Sequence, residues 1–434
     1  MNTEQTTIKQ AASRARKRAA ALVSVLGMVA ATLIACGGGG NDDRWVGTWT
    51  ASPMSYLEIT PLPGYPAPVP SAYTDQTLRQ VMRPTLAGSL ARVHFSNLFG
   101  TTPLAITSAS AAISTGGANI DAGTAVALQF QGQPTITIAA GAEAWSDTAS
   151  LPVQPGTDIA ISTYFAVAAP VSTVHPIASR TSYVAAGNVV NAASLPQATT
   201  VTRYNVVTGI DVVASNPVRT IVAFGDSITD GAASTRDALH SWPSLLAARL
   251  QTLNSGTRAF SVLNAGISGN RLLNDQVGPS GVSRFKRDVL DQSGATDVII
   301  LIGINDIGFG VLSGPPFNLI PASQIVSADS VIAALTQLLA AADAKGVQVT
   351  LGTILPFKGA GYYNAATEAK RQSVNAWIRS NASTRTVIDF DKAMGSPTDP
   401  LAINPAYDSG DHLHPNDAGY AAMANTVDIS KFSN

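Results

Sequence analysis

Ile221-Val222-Ala223-Phe224-Gly225-Asp226-Ser227-Ile228-Thr229-Asp230-Gly231 is the stretch on which the reading of this chain turns. An apolar, largely β-branched run over 220–224 has the character of a buried strand. It stops at a glycine, and a serine follows two residues later. The small polar residues beyond suit the first turn of a helix. In an open α/β sheet, ligands collect at the carboxyl ends of the strands, and Ser227 stands at such an end. It is therefore a candidate nucleophile, but a serine between strand and helix is also an ordinary helix cap. The stretch alone does not separate the two.

Working outward from it, short apolar runs alternate with segments of helical period after Pro217. Strands are predicted at 221–224, 260–263, 298–302, 347–351 and 387–390, with helices at 242–253, 325–344, 365–380 and 417–427. Five strands interleaved with helices imply a parallel sheet covered on both faces, an α/β domain. Before about residue 214 the pattern is different. Leu90-Ala91-Arg92-Val93-His94-Phe95-Ser96, Thr135-Ile136-Thr137-Ile138 and residues 158–165 alternate apolar and polar with period two, and Gly or Pro punctuates them. That pattern predicts an all-β sandwich over 45–214 and an α/β domain over 215–434.

At 434 residues the chain is long enough for two or three domains. With 45% hydrophobic residues it can fill their cores, and a net charge of −1 with 13% charged residues excludes the basic surface of a nucleic-acid binder. The N-terminus carries Lys9, Arg14, Arg16, Lys17 and Arg18, followed by an uncharged apolar stretch over 19–35, the order expected of a secretory signal. Cys36 is the single cysteine, so no intrachain disulfide is possible. Residues 37–44 begin with four glycines and read as a flexible linker.

A hydroxyl nucleophile needs a base, a group to orient that base, and donors where an oxyanion forms. His414 is the candidate base, because Asp411 lies three residues before it in Gly410-Asp411-His412-Leu413-His414-Pro415-Asn416. Pro415 favours an extended backbone at His414, and Asn416 reads as the N-cap of the last helix. Gly269, in the loop after the second predicted strand, can bring a backbone N–H close to a substrate. Asn305, in Gly303-Ile304-Asn305-Asp306 after the third, offers an amide donor. Each segment alone is also compatible with an ordinary turn, but together they gather around one sheet edge. His94 and His175 have no motif partners and read as structural or surface residues. His412 reads as a neighbour of the pair, and a metal site at Asp411, His412 and His414 lacks a further ligand. No cofactor is expected.

These segments resemble the blocks of the SGNH, or GDSL, esterase–lipase family. Its Gly-Asp-Ser-x-(Thr/Ser) block is matched by Gly225 to Thr229, its second-block glycine by Gly269, its Gly-x-Asn-Asp by Gly303 to Asp306, and its Asp-x-x-His-Pro by Asp411 to Pro415. The resemblance implies a flavodoxin-like three-layer hydrolase domain. It further implies Ser227 as nucleophile, His414 as base, Asp411 as its orienter, and an oxyanion hole from the Ser227 and Gly269 N–H groups with the Asn305 side chain. Trp45-Val46-Gly47-Thr48-Trp49, Arg79-Gln80-Val81-Met82-Arg83 and Ser96-Asn97-Leu98-Phe99-Gly100 resemble the two-domain bacterial branch, arylesterase- or acylhydrolase-like and related to xylan-degradation esterases, with a jelly-roll-like β-domain in front. Leu33-Ile34-Ala35-Cys36 resembles a lipobox, which implies lipidation at Cys36 and a cell-envelope lipoprotein held to the membrane by its N-terminal lipid.

The function expected from these readings is hydrolysis of carboxylic esters, with acetyl-type esters of carbohydrates or aryl alcohols as substrates. Longer-chain lipid esters are an alternative, as is a surface lipoprotein that binds carbohydrate without catalysis. The absence of Gly-x-Ser-x-Gly argues against the α/β-hydrolase fold. Ser283-Arg284-Phe285-Lys286 matches Ser-x-x-Lys, but its companion motifs are missing and the match reads as chance. Oligomeric state is not legible in the sequence.

Overall fold

The computed structural model describes residues 44–56, 71–214, 216–255, 257–315 and 320–432. Cys36 and the signal-like residues before it lie outside the described residues. Residues Arg44–Asn434 form one compact unit, and no helix among the described residues is long and apolar enough to cross a membrane.

The C-terminal half is built on a five-stranded parallel sheet. In chain order its strands are Val218–Gly225, Ala259–Gly266, Ala295–Leu301, Gln348–Gly352 and Thr386–Ile388. Numbered by that order, they lie side by side as 2-1-3-4-5, the flavodoxin-like arrangement with its switch point beside the first strand. That strand is interior, paired on both sides, and Ile221, Val222, Ala223 and Phe224 are fully buried, as a strand covered on both faces requires. The flanking helices form two groups. Trp242–Gln251 packs with Asp417–Thr426, and Ala328–Lys345 packs with Ala365–Ser380.

The expected strands and helices are all present with ends shifted by up to three residues, and two of the shifts are set by a side-chain cap. The fifth strand ends at Ile388, because Asp389 caps a short helix, Phe390–Met394, by accepting from the Lys392 N–H. The helix expected at 325–344 starts three residues late, at Ala328, where the Ser327 hydroxyl accepts from the Ser330 N–H and satisfies an otherwise orphaned donor.

The N-terminal half is antiparallel throughout. One sheet runs from Trp45–Thr50 through Val207–Val213 to Gly88–Ser96, and the other centres on Gln76–Met82, Ile159–Phe165 and Ser108–Gly116. Alternate residues from both, such as Val93, Phe95, Ile210, Leu78, Ile159 and Ile161, share one hydrophobic core, as two facing sheets do. That core is completed by Ile267, Val277, Phe309 and Ile320 from the α/β half. Polar contacts cross the same seam: the Ser261 hydroxyl donates to the Gly47 carbonyl at 2.6 Å, and the Gly47 N–H to the Ser293 carbonyl at 2.9 Å.

The motif residues of the β half serve its architecture. Arg79 is fully buried and its guanidinium donates to Ser162 and to the carbonyls of Ala118, Val190 and Ala192. Asn97 donates to three carbonyls, those of Thr102, Ile138 and Ala139. Such groups remain buried because every donor meets an acceptor.

Candidate active site

Ser227 opens a single turn of helix, Ser227–Asp230, directly after the first strand of the parallel sheet. Asp226 caps it, accepting from the Ile228 N–H at 3.0 Å. Burial pushes the Asp226 carboxyl up to about 7 against that hydrogen bond. The turn ends at Gly231 in the left-handed region, φ 104°. A four-residue helix has little macrodipole, and the N–H groups of Ile228, Thr229 and Asp230 already meet Asp226, so within this turn the Ser227 N–H is the donor left for an anion.

His414 reaches this turn from the loop before the last helix. Its Nε2 lies 2.8 Å from Ser227 Oγ and its Nδ1 lies 2.6 Å from Asp411 Oδ2. Asp411 Oδ1 accepts from the Leu413 and His414 N–H groups at 2.9 and 2.8 Å and from the Ser409 hydroxyl at 3.1 Å. Partial burial would raise this carboxyl, but the His414 imidazole and the two N–H groups hold it well below the usual carboxylate range. It is therefore an acceptor, which places the His414 ring proton on Nδ1 and leaves Nε2 to accept from the Ser227 hydroxyl. Asn416 caps the final helix by accepting from the Gly419 N–H at 2.9 Å, so the sequence-read turn stands where it presents His414.

Gly269 and Asn305 are drawn together through Asn270. The Asn305 amide donates one N–H to the Asn270 carbonyl at 3.0 Å, and its Oδ1 accepts from the Tyr362 hydroxyl at 3.1 Å. Its second amide N–H remains for an incoming oxygen. Gly269 has φ 78°, a conformation that other residues adopt only with strain. Among the described residues neither the Ser227 nor the Gly269 N–H has an acceptor. Asp306 braces the same loop, accepting from the Leu272 and Leu273 N–H groups at 2.6 and 2.9 Å; burial pushes its carboxyl up to about 6.

Three residues that the motifs did not single out support this arrangement. Arg284 is buried and donates to the carbonyls of Gly225 and Ala265, to Asn270 Oδ1 and to Asp288. It thus ties the end of the strand before Ser227 to the Gly269 loop. Its i,i+4 spacing to Asp288 was the available sequence signal. Tyr362 orients the Asn305 amide from a loop that no spacing connects to it. His175, expected to be structural or superficial, is buried with its Nε2 3.0 Å from Asp230 Oδ1. His412 is paired with Asp408 at 2.6 Å and not with Ser227. Among the described residues no group of three or more His, Cys, Asp or Glu side chains gathers as a metal site.

A cleft of about 770 Å³ opens between the two halves, lined by Trp49, His175, Tyr204, Asp230 and His240 among others. Ser227, His414 and Asp411 do not line it. The motif residues meet at the bonded serine–histidine pair, outside this cleft.

Residues 223–422 match the family model described as the GDSL-like lipase/acylhydrolase family. This region is a GDSL-like lipase/acylhydrolase domain. The GDSL domain makes the chain a carboxylic ester hydrolase. No curated protein matches the chain. Among solved structures, it is similar to an α/β hydrolase enzyme from the metagenome of Lake Arreo, Spain (22% identity, covering 49% of this chain and 94% of that one, TM-score 0.38). It is also similar to an acetylxylan esterase from Geobacillus stearothermophilus (20%, 49% and 93%, TM-score 0.37). A third is a GDSL-like lipase from Bacteroides thetaiotaomicron (20%, 50% and 88%, TM-score 0.35).

Proposed function

We propose that this ester hydrolase works through an acyl-enzyme on Ser227, with His414 as general base and acid and Asp411 as its orienter. The observation that carries the reading is the imidazole held between Ser227 Oγ and Asp411 Oδ2. Ser227 Oγ attacks the acyl carbonyl while His414 Nε2 takes the hydroxyl proton. The carbonyl electrons move onto oxygen, where the Ser227 and Gly269 N–H groups and the Asn305 amide receive the charge. The carbon–alkoxy bond breaks as His414 returns the proton to the leaving alcohol. Water then repeats the sequence and frees the carboxylic acid. Asp411 keeps the imidazole in the required tautomer and stabilises the imidazolium.

The substrates we propose are short acyl esters, acetyl-type, of carbohydrates or aryl alcohols. Val167 and Ile325 are the exposed large apolar side chains among the described residues, and they form no broad apolar face of the kind that meets a lipid aggregate. The Lys/Arg-rich start, the apolar stretch and Cys36 further support an exported protein held to a membrane by lipid at that cysteine. Radiolabelled palmitate incorporation, compared between the wild type and Cys36→Ser, tests that part.

The chemistry is tested with purified protein and an acyl series from p-nitrophenyl acetate to the palmitate ester, together with acetylated xylan. The expected result is turnover that falls with chain length and is abolished in Ser227→Ala. Equal turnover by Ser227→Ala, or failure of a fluorophosphonate to label Ser227 in the wild type, overturns the assignment. Faster turnover of the long esters selects lipase action instead.

A further inference from the structure

Asp230 closes the one-turn helix that Ser227 opens, and its two oxygens face in different directions. Oδ2 accepts from both the backbone N–H and the hydroxyl of Ser268, at 3.0 and 2.6 Å. Ser268 is the residue immediately before Gly269. Oδ1 faces His175 Nε2 at 3.0 Å, and His175 Nδ1 lies 3.0 Å from the Ser52 carbonyl. His175 and Ser52 both belong to the strand-rich half. Asp230, Ser268 and His175 are all buried.

The protons follow from the partners. A carbonyl only accepts, so Nδ1 carries a proton. Asp230 Oδ2 already receives two donors and so behaves as carboxylate. Nε2 then donates to Oδ1, and the pair is a buried imidazolium and carboxylate. Burial by itself would lower the His175 pKa, but the Asp230 charge and hydrogen bond, with the Ser52 carbonyl, raise it above the ordinary histidine value. Losing one member of such a pair leaves an uncompensated buried charge.

We propose that His175 is a positioning residue for ester hydrolysis: through Asp230 it fixes the Ser268–Gly269 turn, and with it the Gly269 N–H, against the Ser227 turn. The strand-rich half is then part of the oxyanion device. The proposal rests on the assignment of Ser227 and Gly269 given above. Backbone packing leaves the two turns little room to settle elsewhere, since a Cβ on Gly266 would stand 2.3 Å from the Asp230 nitrogen. Without His175, Asp230 keeps the Ser268 donors but loses its only cationic hydrogen-bond partner among the described residues. Asp230 Oδ1 is then left buried without its partner, and the turn before Gly269 loosens. Displacing a catalytic group by about 1 Å costs on the order of 10² in rate.

The test compares wild type, His175→Leu, His175→Gln and Ser268→Ala on p-nitrophenyl acetate, with thermal melting and fluorophosphonate labelling of each. For folded His175→Leu the expected result is a kcat lowered by roughly 10- to 100-fold with KM within about 3-fold, because ground-state binding does not use the oxyanion donor. His175→Gln retains an N–H for Asp230 and should recover most of kcat. Ser268→Ala removes only one of the two donors on Asp230 Oδ2 and should lower kcat in the same sense, so it decides the matter if His175→Leu does not fold. A folded His175→Leu or Ser268→Ala with wild-type kcat overturns the proposal, as does a glutamine variant no better than leucine. A wild type that neither turns over any ester nor takes the label instead overturns the esterase assignment itself.

Discussion

Asp411→Asn separates orientation of the imidazole from every other function of the turn. Three of the donors on Asp411 converge on Oδ1, namely the Leu413 N–H, the His414 N–H and the Ser409 hydroxyl. An asparagine keeps them on its carbonyl oxygen, and its NH₂ then replaces Oδ2 opposite His414 Nδ1. Two donors cannot face each other, so the ring proton moves to Nε2. That nitrogen now donates to Ser227 Oγ and can no longer take its proton. The expected loss is about 10⁴ in kcat, or roughly 5.5 kcal/mol of barrier at 1.36 kcal/mol per decade. Folding loses only one charge-assisted hydrogen bond on a side chain that is half exposed, so stability should change by no more than about 1–2 kcal/mol. The assay is steady-state hydrolysis of p-nitrophenyl acetate beside a urea unfolding curve. A folded Asp411→Asn that keeps a tenth or more of the wild-type kcat would refute the role given to Asp411.

Other expectations follow from single contacts. Asn305→Ala should lower kcat by about 10²–10³ with little change in KM, because its free N–H is used as the oxyanion develops; an unchanged kcat removes Asn305 from the oxyanion hole. Asp226 is buried with a folded pKa of about 7 against 3.8 for a free carboxyl. Between those values the folded chain holds a proton that the unfolded chain has released, so stability falls as pH rises from about 4 to about 7, by up to roughly 4 kcal/mol. Asp226→Asn can still accept from the Ile228 N–H but does not titrate, and should flatten that fall; parallel stability–pH curves for wild type and variant contradict the burial argument.

How much was legible in the sequence differs from element to element. The strand before Ser227, the Asp-x-x-His turn and the Asn416 cap could be read directly, because each depends on local rules: a continuous apolar run, a carboxylate three residues from an imidazole, a side-chain oxygen over a helix start. The expected end of the fifth strand missed for an equally local reason, the Asp389 cap, which a strand-like Val387-Ile388 run conceals.

What tertiary structure decided was everything that joins distant residues. His414 and Ser227 are 187 positions apart in the chain and 2.8 Å apart in space. No periodicity reports that Arg284 binds the Gly225 carbonyl, that Tyr362 holds the Asn305 amide, or that His175 crosses from the β half to Asp230. Hydrogen bonds of buried polar groups are satisfied by whatever the fold brings near, and that depends on how sheets and loops pack together. The sequence alone singled out the candidate residues Ser227, Gly269, Asn305, Asp411 and His414, and placed the first three after the ends of predicted strands. Only the packed chain decided what holds them in place, since a buried charge takes its partner from its neighbours in space.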